Sequence, residues 1–147
     1  ENPQLETFID GIHALAVFNG PHAYVSSSWY NHENVSTWNY VAVQAAGKLY
    51  LLSELELIES LVNLTQKYES KERKPKYFEN IDEKVVRDNL TGITGFRIHV
   101  ESLQASYKLS QNRGEEDHKN IISHLEMRED GASKAVAAEM RKRGHGF

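Results

Sequence analysis

Apolar residues recur along this chain in two periods, and the period tells strand from helix. Leu15 and Val17, Ala23 and Val25, and Val41 and Val43 alternate with other residues in short β-favouring runs. That pattern predicts strands over 14–18 and 23–27, with Asn19-Gly20-Pro21 as a tight turn between them. Alternation would send His22, Tyr24 and Ser26 to one face and Ala23, Val25 and Ser27 to the other. Strands over 39–45 and 48–52 follow as a hairpin around Ala46-Gly47, central to the sheet. Near the far end, Phe96, Ile98 and Val100 against Arg97, His99 and Glu101 predict a half-buried strand over 94–103, paired with another over 106–109.

Between these stretches the period lengthens. Leu5, Phe8 and Ile9 predict a short helix over 3–9, ended by Gly11. Ser53 and Glu56 form a capping box, and Leu57, Leu61, Leu64 and Tyr68, with Ile58, Val62 and Thr65 beside them, continue it as an amphipathic helix to about residue 69, expected to lie against a β-barrel. Lys71, Arg73, Lys74 and Lys76 form a charged, solvated connector broken by Pro75. Asp82 caps a helix to Leu90, stopped by Gly92, with Val85, Val86 and Leu90 as its buried side. Asn112 and Glu115 offer a further cap before a helix marked by His118, Ile121, Ile122 and Leu125. An Ala-rich helix over 132–143 precedes a basic tail.

The segment 19–43 concentrates Trp, Tyr, His, Ser and Asn, with Trp29-Tyr30 and Trp38-Asn39-Tyr40 bracketing a polar loop over 31–36. Two readings fit: a wall for a flat aromatic ligand with a polar tail, and a β core with Tyr and Trp at its rim. The run Lys108-Leu109-Ser110-Gln111-Asn112-Arg113 also has two readings. Its cations, hydroxyl and amides beside free helix amides would receive a phosphate, and the same residues would make a capped strand-to-helix turn.

Composition narrows the function classes. The 147 residues fit one domain. A net charge of -4 gives no basic footprint for gripping a nucleic-acid backbone, so direct DNA contact is not evident. The absence of Cys removes a disulfide framework, a thiolate metal site and a Cys nucleophile. With no signal peptide and no long apolar run, a cytoplasmic, membrane-free protein is expected. His118 and His124 are spaced to face different ways, and the histidines read as scattered over the surface. The carboxylates at Asp82-Glu83 and over 115–117 read as helix-start capping. Ser26, Ser27 and Ser28 lie outside a G-x-S-x-G elbow, and neither a G-x-G-x-x-G fingerprint nor a P-loop occurs. No catalytic constellation emerges, and a binding protein is expected over an enzyme.

GPHAYVSSSWY over 20–30, TWNYVAV over 37–43, GITGF over 92–96 and KLSQNR over 108–113 follow one another as in the PaiB family of FMN-binding negative transcriptional regulators, which this chain closely resembles. The resemblance implies an α+β fold built on an antiparallel, FMN-binding split β-barrel with flanking helices, working as a homodimer. The family carries a further stretch with the first barrel strands ahead of the point matching Asn2-Pro3-Gln4, so 1–147 is read as a single domain, the C-terminal two-thirds of such a barrel. The sheet edge those strands would cover is then exposed. A flavin site implies Trp29, Tyr30, Trp38 and Tyr40 as an aromatic wall, Ser26, Ser28, Thr37 and Asn39 as edge contacts, and Lys108, Ser110, Gln111 and Arg113 around the phosphate tail. Ser27 and Ser36 where relatives have Pro, Gln44 where they have His, and Ala105-Ser106 in place of Gly-Lys predict a looser loop and a lost phosphate contact. A negative transcriptional regulator is the function implied, with a flavin-dependent oxidoreductase or haem-handling enzyme, and a cofactor-free dimerisation module, as the alternatives on the same fold.

Overall fold

A computed structural model describes residues 3–144; Glu1, Asn2 and the tail beyond Gly144 lie outside the described residues. In chain order it contains a 3-10 turn (Pro3–Thr7), strand β1 (His13–Val25), a 3-10 turn (Ser27–Trp29), β2 (Thr37–Leu51), helix α1 (Glu54–Glu69), a 3-10 turn (Phe78–Asn80), α2 (Glu83–Leu90), β3 (Phe96–Lys108), α3 (Glu115–Met127) and α4 (Gly131–Arg143). The strands form one sheet in the order β1-β2-β3. Gly11 N–H donates to the Leu49 carbonyl at 2.7 Å and Leu49 N–H to that of Ile12 at 2.9 Å, while farther along β1 Gly20 lies against Val41. Partner numbers fall as strand numbers rise, so β1 and β2 are antiparallel. The same holds for β2 and β3, from Leu52 opposite Gly95 to Thr37 beside Lys108. The fold is thus α+β with an antiparallel sheet, which among the described residues is open, with β1 and β3 as its edges.

Three expected breaks are absent, and each run is one continuous strand. Gly20 is no turn residue. A Cβ there would lie 3.1 Å from the Val41 carbonyl oxygen and 3.2 Å from its Cβ, so the glycine marks close approach of β2 within the sheet. Pro21 is tolerated because β1 is an edge strand, where an N–H can go without a ladder partner. Gly47 is a stronger case, since a Cβ would fall 2.0 Å from the His99 carbonyl oxygen. Neither glycine has a positive φ. The expected hairpin around Ala46-Gly47 is therefore the middle of β2, which is indeed the central strand. The expected division of 94–109 also disappears in β3. Its Ile98 is half-buried and all its other residues are exposed, so side-chain alternation carries little information there.

The described chain separates into two compact units, one of residues 3–14 with 46–101 and the other of 15–45 with 102–144. In the first, the expected helix over 3–9 is only a 3-10 turn over Pro3–Thr7, and Phe8 just after it meets Phe96 edge-on at 5.3 Å. Helix α1 starts with the expected capping box. Ser53 Oγ accepts from Glu56 N–H at 3.4 Å, and Glu56 Oε2 accepts from Ser53 N–H at 2.8 Å. Leu57, Ile58, Leu61, Val62 and Thr65 are half-buried, but Leu64 and Tyr68 are exposed, so the apolar stripe is narrower than its spacing predicts. The helix packs on the Phe78–Asn80 turn. Asp82 caps α2 by accepting from Lys84 and Val85 N–H, and Val86 and Leu90 are half-buried. Val85, expected inside, is 50% exposed.

Glu56 also pairs with Arg97. Hydrogen bonds from the Ser53 backbone, the Ser53 hydroxyl and then the Arg97 guanidinium lower its pKa from 4.5 to about 2. A depressed carboxylate pKa contributes stability above its unfolded value, which is lost as pH falls through the folded value. The start of α1 should therefore loosen between about pH 4.5 and 2. Arg97→Gln should move that loss to higher pH, as followed by the protection of the Glu56 amide from hydrogen exchange.

The second unit holds most of the fully buried apolar side chains. Ala23, Val25 and Tyr30 pack with Leu109 and with Ile121, Ile122 and Leu125 of α3 and Val136, Ala137 and Met140 of α4. Helix α3 is capped by Gly114 and not by Asn112, with no side-chain cap bond. Asp130 caps α4 through Ser133 N–H at 2.7 Å. Arg141 of α4 grips Glu126 of α3 with Nε and Nη2, at 2.7 and 2.9 Å. That fork joins the two helices and holds the Glu126 carboxyl below its ordinary range.

Candidate functional site

Alternation along β1 does what the sequence predicts: Ala23 and Val25 enter the core, and His22 and Tyr24 face outward. There they meet Trp38 of β2. Its ring stacks on His22 at 5.8 Å and 27°, its Nε1–H donates to His22 Nδ1 at 3.3 Å, and Tyr24 stands edge-on at 6.1 Å. Tyr24 in turn donates to Ser36 Oγ at 2.6 Å. Trp38 is nevertheless 48% exposed and Tyr40 37%. An exposed, hydrogen-bonded aromatic patch of this kind offers a stacking surface already held in place.

Trp29 and Tyr30 do not join that patch. Trp29 packs against the core, stacked on His124 at 4.9 Å and 8°, with the Arg128 guanidinium 4.9 Å from its ring. Tyr30 is 8% exposed, carries Arg113 over its ring at 4.9 Å, and its hydroxyl has no hydrogen-bond partner among the described residues. The four aromatic residues, close in sequence, thus fall into an outward pair and an inward pair.

The polar candidates sort in the same way. Ser26 caps the 3-10 turn through Ser28 N–H and lies 2.9 Å from Ser28 Oγ. Lys108 Nζ donates to Thr37 Oγ1 at 2.6 Å. Asn39 is fully buried, accepting from Ser110 Oγ at 3.1 Å and donating to Met140 Sδ at 3.5 Å. Ser110 adopts φ 58°, a left-handed conformation uncommon outside glycine. Gln111 clamps that turn, its Oε1 accepting from Leu109 N–H at 2.7 Å and its Nε2 donating to the Tyr107 carbonyl at 2.9 Å. Three contacts, Thr37 with Lys108, Asn39 with Ser110 and Tyr30 with Arg113, therefore join the aromatic block to the 108–113 turn.

Sequence reasoning missed several groups. The histidines are not simply scattered over the surface, since His118 is 4% exposed and His124 lies on Trp29. Asp117 is no cap. It is 6% exposed, accepts from Asn31 N–H at 2.9 Å and faces His32 Nδ1 at 3.3 Å. A carboxylate in the first turn of a helix carries the capping signal whatever it binds, and its real partners lie far away in the chain. No group of three or more His, Cys, Asp or Glu among the described residues could hold a metal ion. A cleft of about 480 Å³ in the first unit, lined by residues including Leu57, Arg87 and Leu90, contains none of the aromatic groups above.

An antiparallel α+β chain with an exposed aromatic patch on its sheet is consistent with the flavin expectation, and comparison with known proteins decides the family. The chain belongs to the family described as "Putative FMN-binding domain", which matches residues 1–102. It is 46% identical over 139 residues to "Protease synthase and sporulation protein PAI 2" of Bacillus subtilis strain 168, covering 95% of this chain and 67% of that protein. An uncharacterised protein of Emericella nidulans is 28% identical over 98% of the chain and 70% of its own length. Another from Aspergillus fumigatus is 28% identical over 88% of the chain and 58% of its own length. These matches bear out the resemblance read from the sequence. The family match ends before Lys108, so the 108–113 turn lies beyond it.

Proposed function

We propose that this chain binds FMN and acts as a PaiB-like negative regulator of gene expression, as a cytoplasmic homodimer whose sheet belongs to a flavin-type split barrel. The observation that carries the reading is the exposed Trp38 ring held in place by His22 and Tyr24. Trp38, Tyr40, His22 and Tyr24 would form the flat wall, with Ser26, Ser28 and Thr37 at its edge. Lys108 and the half-exposed Arg113 would meet the phosphate, while Asn39, Ser110 and Gln111 hold the turn that presents them, and Trp29 and Tyr30 support it from the core. Bound FMN would supply a redox-active ring system. The residues around it bind and orient that ring, and regulation requires no catalytic group among them.

Exposed apolar side chains on the edge strands support pairing with a second copy: Leu15, Val17 and Phe18 on β1, and Val100 and Leu103 on β3. The acidic net charge favours action on DNA through a partner or through a surface built by the dimer. No helix among the described residues is long and apolar enough to cross a membrane. The native protein should show flavin absorption after purification or on titration with FMN, and light scattering should give twice the chain mass. A Soret band would replace this reading with the haem-handling one. Absence of any cofactor from a folded dimer would leave the dimerisation module.

A further inference from the structure

We propose that Asp117, His32 and Asn34 form an acid-sensitive latch that sets the loop leading into Trp38. The consequence at Trp38 rests on the flavin-site reading, whereas the latch itself is read from three hydrogen bonds and the close approach of His32 to Asp117. Asp117 Oδ1 accepts from Asn31 N–H at 2.9 Å, and its Oδ2 lies 3.3 Å from His32 Nδ1. On the other side of the ring, Nε2 is 3.1 Å from Asn34 Nδ2. The orientation of that amide is set by its own oxygen, which accepts from Val35 N–H at 2.8 Å. The NH2 group is then what faces Nε2, and because it only donates, Nε2 must accept. His32 is therefore held as the neutral tautomer protonated on Nδ1.

Taking a proton from solvent at Nε2 sets one N–H against another. The clash is relieved by turning the Asn34 amide, which removes the acceptor from Val35 N–H. The new imidazolium is drawn more strongly to Asp117, so the loop keeps its attachment to α3 and changes on the far side, over residues 34–36. Ser36 lies there, and its Oγ accepts from both Tyr24 Oη at 2.6 Å and Ser27 N–H at 3.1 Å. Tyr24 is the edge-on neighbour of Trp38. The ionisable groups around His32 are Asp117 from α3, Tyr30 with its ring centre 5.9 Å away, and Arg113 beyond Tyr30. Glu33 in the same loop is exposed, and His118, next to Asp117, is buried.

Nitrogen-15 NMR of the whole protein without FMN tests the latch. His32 should show a protonated Nδ1 and a bare Nε2 at neutral pH, and acidification should shift the Val35 amide in step with His32 and remove its protection from exchange. Asn34→Ala should uncouple the Val35 amide while His32 stays paired with Asp117, and this loop variant is informative even if Asp117→Asn fails to fold. A proton on Nε2 at neutral pH, or a Val35 amide that stays put while His32 titrates, would overturn the proposal. In protein shown to bind FMN, affinity should fall over the same pH range and less so in Asn34→Ala. An affinity that ignores that titration while the NMR coupling persists would overturn the link to Trp38 and leave the flavin site standing.

Discussion

Replacing Trp38 with alanine should weaken FMN binding by roughly ten- to a hundredfold, whereas Val35→Ala should leave it within about twofold. Stacking a flat heterocycle on an aromatic side chain contributes about 1–3 kcal/mol, and each 1.4 kcal/mol is roughly tenfold in affinity. Trp38 qualifies as that stacking surface because it is half-exposed yet held by His22 and Tyr24, so little side-chain freedom remains to be lost on binding. Val35 is 74% exposed, and its side chain has none of those contacts. Isothermal titration with FMN on both variants, each checked for folding by circular dichroism, measures the difference. Equal affinities would place the flavin elsewhere.

The largest loss of stability should come from the α3–α4 core. Leu125→Ala should cost about 2–5 kcal/mol, because a fully buried leucine leaves a cavity among close-packed neighbours in addition to the lost transfer energy. Leu55→Ala in α1 should change stability by less than about 0.5 kcal/mol, since Leu55 is 80% exposed. Urea denaturation followed by far-ultraviolet circular dichroism separates them. Similar midpoints for the two variants would mean that the second unit does not control the unfolding transition.

The contrast between these leucines shows how far hydrophobic pattern can be read. In α3 the spacing of Ile121, Ile122 and Leu125 predicts burial, and all three are buried. In α1 an equally regular stripe leaves Leu64 and Tyr68 in solvent, because periodicity marks a face without saying whether anything covers it. The candidate site divides similarly. The outward direction of His22 and Tyr24 follows from strand alternation, but their capture of Trp38 depends on how β1 and β2 pair.

By itself the sequence determined the helix starts at Ser53 and Asp82, the alternating faces of β1, the α+β class and, through its blocks, the family. These are local signals, set by a few neighbouring residues or by chain chemistry. Tertiary structure alone decided that Gly20 and Gly47 sit inside strands, since the reason for each is a backbone lying beside it from a distant part of the chain. It also decided that Trp29 and Tyr30 part from Trp38 and Tyr40, and that Asp117 binds the loop at Asn31 and His32. A residue type such as glycine or aspartate answers several structural demands equally well. Only the neighbours brought up by folding select one of them.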